Sequence, residues 1–430
     1  MIAVISAGGK GTRLSAIAPN IPKPMVPIAG TPILVHQVES LKRSGVKEFV
    51  FLVGHLGHVI REYFGDGSSF GVSIRYIQED QPLGSGGSLY FLREGIKEDF
   101  LFVFGDLMFD VDFIRMMQFH KEHGAAITLF AHPNSHPFDS DLILQRNGQV
   151  HGIDSKNNVR DYFYENLVNA GIYVLSPRLF KDYFLEPAKT DFEKDVLAKE
   201  IERGDVYAYH STEYVKDAGT PDRYESVGRD LLSGVIAGRS LAKKQKAVFL
   251  DRDGTINTYK GFLTDIDQLE LIPRVAKGLK DINESGYLAI IVSNQPVIAR
   301  GELTVPELDE IHRKLQTLLG KEGAYYDDLF YCPHHPDKGF EGEVRELKID
   351  CACRKPGIGL ILEAAEKYNI DLCQSIMVGD GTMDIQTGVN AGMKTVLVKT
   401  GLKGEDGKYD AQPDFVIDSL ADIQEVLSKL

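Results

Sequence analysis

Asp251 and Asp253 stand two residues apart at the end of the apolar run Ala247-Val248-Phe249-Leu250, and Gly254-Thr255 follow them. A turn after such a strand brings both carboxylates toward one substrate, where one can attack phosphorus while the other handles the proton. D-x-D-G also opens a calcium loop, but the twelve-position pattern fails, with Phe262 standing where the last carboxylate ligand belongs. Farther on, Cys332-Pro333-His334 and Cys351-Ala352-Cys353 supply four N/S ligands, the complement of a closed tetrahedral zinc site. Cys373 stands apart and reads as a packing residue, and His335 is left over.

A second chemical set lies near the start of the chain. Gly8-Gly9-Lys10-Gly11-Thr12-Arg13 follows the apolar strand Ile2–Ser6; glycines there let backbone amides close on a polyphosphate, and Arg13 adds a cationic fork. The dinucleotide pattern G-x-G-x-x-G is not met, which argues against a dehydrogenase. Pro22 and Pro24 flank Lys23, the arrangement of a rigid phosphate clamp. Asp106 ends the run LFVFGD, where open α/β sheets place their ligands, and Asp217 lies in KDAGTP. The two carboxylates together suit Mg²⁺, which takes one or two carboxylates plus substrate phosphate oxygens.

These residues need sheets to carry them. At roughly 150 residues per domain, 430 residues imply two to three domains. Apolar strands open both halves, and each is followed by alternating helical and strand-like runs, the βαβ rhythm of parallel sheets. In the second half the rhythm places a helix near 275–285, a strand at 288–293, a long helix from 305 to 319 and further strands at 375–380 and 395–399. Residues 222–232 read as a helix, and the Gly-, Ser- and Lys-rich stretch after it carries no strand signal. The expectation is therefore a domain over 1–232, a linker at 233–245 and a second domain over 246–430. No repeat, heptad array or low-complexity tract is visible.

Lys plus Arg total 48 against 62 Asp plus Glu, a net charge of −14, which disfavours nucleic acid and anionic membranes as partners. With 43% hydrophobic and 26% charged residues the chain is neither disordered nor membrane-spanning in pattern. MIAVISAGGKG lacks the features of a signal peptide, and three of the four cysteines grouped as metal ligands fit a reducing compartment, so a cytoplasmic location is expected.

The first half resembles the sugar-1-phosphate nucleotidyltransferases over essentially all of residues 1–230. The carrying segments are GGKGTRL, PKPMVPIAGTPIL, PLGSGGSL at 82–89, FGD, NAGIY at 169–173 and DAGTP. The resemblance implies a Rossmann-like sheet that binds an NTP with Mg²⁺, the oxygen of a sugar 1-phosphate attacking the α-phosphorus and releasing pyrophosphate. It assigns Gly8, Gly9, Gly11, Thr12, Arg13, Gly84 and Asp106 to the nucleotide, Lys23 and Arg13 to catalysis, and Asp106 with Asp217 to the metal. Asn169 and Lys156 fall to the sugar side, although around Lys156 the family's Glu-Lys-Pro is replaced by Ser155-Lys156-Asn157.

The second half resembles the haloacid dehalogenase superfamily of aspartyl phosphatases, through DRDGT, Ser293-Asn294, Lys355 and GDGTMD. By that resemblance Asp251 is the nucleophile, Asp253 the acid and base, Ser293, Asn294, Arg354 and Lys355 hold the substrate, and Mg²⁺ sits on Asp251, Asp253 and Asp380. DRDGTIN, SNQPVIARGELT, YCPHHP, CACRKP and VGDGTMD narrow the likeness to the D-glycero-D-manno-heptose 1,7-bisphosphate phosphatases, with Gly381 where a lysine commonly follows the aspartate. The fold class expected is α/β in two domains, the second a Rossmannoid sheet with a structural zinc loop held by Cys332, His334, Cys351 and Cys353. The implied protein is bifunctional: it removes the 7-phosphate of the bisphosphate and moves a nucleotidyl group, by family analogy from GTP, onto the heptose 1-phosphate. Two alternatives stay open: a phosphatase fused to a nucleotide-sugar-binding regulatory module, or the same activities on another sugar phosphate or on histidinol phosphate.

Overall fold

The computed structural model describes residues 1–8 and 21–430, which group into two compact units. Unit 1 comprises Met1–His132, Ile143–Asp154 and Asn169–Ala242; unit 2 comprises Pro133–Leu142, Ser155–Val168 and Lys243–Leu430. The α/β class expected from the sequence is present in both.

In unit 1, Ile2–Ser6 lies between the parallel strands Glu48–Val53 and Phe100–Phe104, with Ser73–Gln78 parallel to the former. Val168–Leu175 pairs antiparallel with Phe100–Phe104, so the sheet becomes mixed beyond that point. The central strands are continuous apolar runs, as EFVFLV shows, because helices cover both faces of such strands. Helix Ile33–Arg43 supplies Leu34, Val38 and Leu41 at helical spacing to a core shared with Ile5, Phe51 and Val103. Leu107–Asp110 and Tyr214–Asp217 form a separate antiparallel ribbon with Leu107 opposite Asp217.

The stretch 233–245, expected as a linker, needs correction. Val235–Gly238 is a short helix whose Ile236 is buried with Val26, Ile28, Met108 and Val227, and unit 1 continues to Ala242. The Gly and Ser content masked an apolar anchor. Glu213 fastens the same segment, accepting from the amides of Asp112 at 2.7 Å and Leu241 at 2.9 Å.

Unit 2 carries a six-stranded all-parallel sheet in the order Asp328–Cys332, Leu288–Asn294, Ala247–Leu250, Ile376–Gly379, Lys394–Val398, Phe415–Ile417. Helix Val305–Lys321 packs on it and begins with a capping box between Thr304 and Glu307. Leu308, Ile311, Leu315 and Leu319 form its buried face, with His312 buried beside them.

The excursions 133–142 and 155–168 form an arm on this helix, a feature the 1–232 boundary did not foresee. The Tyr164 amide donates to Thr317 Oγ1 at 2.9 Å, and the Asn166 amide donates to Gln316 Oε1. Gly320 permits close approach, since a Cβ there would stand 2.5 Å from Pro137 Cγ. Arg160 ties the arm together, donating to the carbonyls of Pro137 and Ser140 at 2.7 Å each.

Candidate active sites

In unit 1, Lys23 opens the 3-10 turn Lys23–Met25, which buried Pro24 and Met25 anchor. Its ammonium donates to Asp106 Oδ2. Asp106 follows strand Phe100–Phe104 in a turn fixed by buried Gln37, whose Nε2 donates to the carbonyls of Phe104 at 3.0 Å and Leu107 at 2.7 Å. The ribbon brings the second aspartate to the same place, because the Ala218 amide donates to the Asp106 carbonyl at 3.0 Å. Asp217 accepts from the Gly219 amide at 3.0 Å and from Arg223 at 2.5 Å. A Cβ at Gly219 would stand 2.8 Å from Lys23 Nζ and 2.9 Å from Asp217 Oδ1, so a side chain there would crowd both groups. The structure thus gathers Lys23, Asp106 and Asp217.

Other expected residues of this half fall in different surroundings. Gly9, Gly11, Thr12 and Arg13 lie outside the described residues. Gly8 is described, and a Cβ on it would come 3.3 Å from the Gly54 amide nitrogen. Gly84 has φ +80°, and a Cβ there would meet the Thr190 carbonyl oxygen at 2.4 Å, so the 82–89 loop needs glycine to lie against residues 188–192. Asn169 Nδ2 donates to the Tyr173 hydroxyl at 2.7 Å and to Glu193 at 3.2 Å. Lys156 belongs to unit 2, its ammonium 3.9 Å from Asp139 and its amide donating to Asp141 at 2.7 Å.

The site of unit 2 is closed and charged. Asp251 follows strand Ala247–Leu250, and Lys355 donates to Asp251 Oδ1 and to Asp384 Oδ1, both at 2.6 Å. Asp251, Asp380 and Asp384 place carboxylate oxygens within 4.8 Å of one another. Burial pushes Asp251 up to about 7 against the pull of Lys355, with Asp384 and Asp253 adding like charge. Burial likewise pushes Asp380 up to about 8, helped by Asp251 and opposed by the Leu402 amide. Burial alone would lower Lys355, but Asp251 and Asp384 outweigh it and hold the ammonium above its ordinary value.

Backbone geometry enforces this crowding. Gly254 has φ +91° and Gly401 φ +57°; a Cβ on either would stand 2.2 or 2.0 Å from Asp380 Oδ2. Asn294 clamps the backbone of Lys355, accepting from its amide at 2.9 Å and donating to its carbonyl at 3.2 Å. Ser293 accepts from Gln295 at 2.8 Å, and Arg354 donates to the His334 carbonyl at 3.2 Å. Asp251, Asp253, Ser293, Arg354, Lys355 and Asp380 line one cleft of about 260 Å³. The expected set therefore meets in one place.

The Cys/His loop also closes. Cys353 Sγ lies 3.2 Å from Cys332 Sγ, 3.3 Å from Cys351 Sγ and 3.3 Å from His334 Nδ1. Zn–S bonds of about 2.3 Å in a tetrahedron set S···S distances near ~3.8 Å, so a small outward relaxation accommodates the ion. All four cysteines are free thiols, and Cys373, expected to pack, is exposed on the turn Leu372–Gln374.

Several positions escaped the sequence reading. Asp384 lies in the same GDGTMD run as Asp380, and its four-residue offset on a helix start was the available signal. Gln295 donates to Asp253 Oδ2 at 3.0 Å, and Gln37 and Glu193 act through contacts distant in sequence. Among the described residues no helix is long and apolar enough to cross a membrane.

Comparison with known proteins separates the same two halves. A nucleotidyl transferase family profile matches residues 2–234, and a HAD-hydrolase-like profile matches residues 352–423. D-glycero-beta-D-manno-heptose-1,7-bisphosphate 7-phosphatase from Haemophilus influenzae is 38% identical over 186 residues, covering 43% of this chain and 98% of the relative. The protein of the same name from Escherichia coli K12 is 37% identical over 190 residues, 44% and 97% of the respective chains. The crystal structure of HddC from Yersinia pseudotuberculosis aligns at 25% identity and a TM-score of 0.46 over 54% of this chain and 99% of its own.

Proposed function

We propose, for a chain that belongs to the nucleotidyl transferase family in its first half and to the D-glycero-beta-D-manno-heptose-1,7-bisphosphate 7-phosphatase family in its second, that the two act in sequence on one sugar. The phosphatase removes the 7-phosphate of a heptose 1,7-bisphosphate. The transferase then joins the remaining 1-phosphate to a nucleotidyl group, from GTP by family resemblance, and releases pyrophosphate. The observation that carries the reading is Lys355 held between Asp251 and Asp384 with Asp380 beside them, a phosphoryl-transfer site with nucleophile and cation in place.

In the phosphatase, an oxygen of Asp251 attacks phosphorus while Lys355 and Ser293 hold the phosphoryl oxygens. Asp253 gives its proton to the departing sugar oxygen and then takes one from the water that cleaves the aspartyl phosphate. Asp251 and Asp380, with the carbonyl of Asp253, would hold Mg²⁺, and Asp384 adjoins the same set; the raised carboxylates fit a divalent cation. That ion supplies charge neutralisation for the equatorial oxygens. Cys332, His334, Cys351 and Cys353 would hold zinc as a structural tie beside Arg354 and Lys355.

In the transferase, Asp106 and Asp217 would hold the nucleotide's Mg²⁺, which neutralises the leaving pyrophosphate. Lys23 stabilises charge building on the α-phosphate, with Gly8, Gly84 and the loop containing Arg13 around the nucleotide. Asn169 is assigned to the sugar side; Lys156, which the resemblance puts there, belongs to unit 2. The domain assignment proposed is a transferase built from residues up to 242, less the arm at 133–142 and 155–168, and a phosphatase after it, in the cytoplasm, with small molecules as partners. Incubating heptose 1,7-bisphosphate with each NTP in turn and reading products by mass spectrometry tests it. An NDP-heptose with loss of one phosphate is expected; a product retaining the 7-phosphate, or none with any NTP, would refute it.

A further inference from the structure

Arg252 sits between the nucleophile and the acid, and its side chain is fully buried. A guanidinium can only donate and keeps its charge, so burial is tolerable only with partners on its forks. Its Nη2 donates to Asp253 Oδ1 at 3.0 Å and Oδ2 at 2.8 Å, and its Nε donates to Oδ2 at 3.1 Å. Nη1 turns the other way and lies 3.2 Å from His312 Nε2. Since arginine cannot accept, Nε2 must be the bare nitrogen of a neutral ring that carries its proton on Nδ1. Burial and the guanidinium itself enforce that state, holding the imidazole well below its ordinary value.

Asn257 donates to Asp253 Oδ1 at 2.9 Å and Gln295 to Oδ2 at 3.0 Å, so both oxygens are fixed in space. A proton transfer requires those oxygens to stand within hydrogen-bond reach of the leaving oxygen. We infer that Arg252, braced by neutral His312, is a positioning residue that fixes the carboxyl of Asp253 for its two proton transfers. The inference rests on the role of Asp253 given above.

Leaving-group dependence tests it. A sugar phosphate departs as an alkoxide that needs the proton, whereas p-nitrophenyl phosphate departs as a phenolate that does not. Asp253→Asn is expected to lower single-turnover release of the leaving group, the step before the water attack that both substrates share, by about a hundredfold or more on the bisphosphate and by less than about tenfold on the aryl ester. Arg252→Lys, which cannot fork, and His312→Leu, which cannot accept, should follow the same pattern, with about tenfold or greater loss on the bisphosphate and less than about threefold on the aryl ester. His312→Gln should restore near-normal rates, because its amide oxygen can accept from Nη1. If Asp253→Asn slows both substrates equally, the role of Asp253 falls and this inference with it. If Asp253→Asn discriminates but Arg252→Lys and His312→Leu slow both substrates equally, or neither, the inference alone is overturned. Should Arg252→Lys fail to fold, the His312→Leu and His312→Gln pair decides, since both keep the guanidinium and differ in whether Nη1 has an acceptor to brace it.

Discussion

The two catalytic units handle negative charge in opposite ways. In unit 1 each aspartate already has its own cation, Lys23 on Asp106 and Arg223 on Asp217, and the side chains of Asp106 and Asp217 remain 30% and 36% exposed. In unit 2 three carboxylates crowd together in a buried cluster with Lys355 paired to two of them, and burial raises Asp251 and Asp380 far above the usual carboxylate range. The first arrangement can wait in water and exchange partners when a nucleotide arrives with its own cation and charges. The second carries a demand for positive charge within its fold that a divalent ion would answer. Similar phosphorus chemistry thus falls to one site whose aspartates are each paired with a cation and to another whose carboxylates outnumber their lysine.

Breaking the second site should produce the largest effect. Asp251→Asn removes the nucleophile, and phosphate release from the bisphosphate should fall by at least about four orders of magnitude. Nucleotidyl transfer to supplied heptose 1-phosphate should stay within about threefold, or roughly 0.7 kcal/mol of barrier. Retained phosphate release in a folded variant would sink the nucleophile assignment.

Asp106→Ala should be next, lowering pyrophosphate release by about a hundredfold or more because the metal and Lys23 both lose a partner. Phosphatase turnover should change by less than about threefold, since no side chain of unit 2's carboxylate cluster comes from unit 1. A large loss of both activities in folded protein would mean that the sites share a state.

The zinc loop gives a smaller, structural effect. Elemental analysis of the purified full chain should find one zinc, lost in Cys351→Ser combined with Cys353→Ser, together with a lower thermal midpoint and weakened phosphatase activity. Zinc that persists in the double variant would place the ion elsewhere.

The smallest shift concerns pH and magnesium. Carboxylates raised to about 7 and about 8 bind more protons in the folded state than in the unfolded one, so the metal-free protein loses stability as pH climbs from the ordinary carboxylate range toward 8. Thermal melts with chelator and with Mg²⁺ at pH 6 and pH 8 should show magnesium raising the midpoint more at the higher pH. Equal shifts at both would mean that the cluster is already neutralised.

Much of this was legible because its signals are local. Apolar strand runs ending in Asp- and Gly-bearing turns point to Asp106, Asp251 and Asp380, and C-x-H with C-x-C points to the four-ligand loop. What stayed hidden is non-local. The arm depends on Gly320 admitting Pro137 and on Thr317 meeting Tyr164, pairings that no period or motif announces. Arg252 between two aspartates reads as a turn cation, and only the fold turns it inward toward His312, which looks like one polar residue in a helix. The 233–245 stretch looked like a tether because its Gly, Ser and Lys residues interrupt any periodic apolar pattern, although Ile236 and Leu241 are buried and Val235 packs beside Ile236.

The arm also sets a timetable for synthesis. Tyr164 and Thr317 are 153 positions apart, and a ribosome adding 5–20 residues per second needs roughly 8–30 s to cover that distance. For that interval Pro137, Tyr164 and Asn166 have been made while the helix that receives them has not. The nascent chain therefore carries an unfinished surface through the middle of its own translation, and a ribosome stalled before residue 305 would leave it unfinished. Translation speed between those two points is thus a variable of this protein's folding yield, quite apart from the stability of the finished molecule.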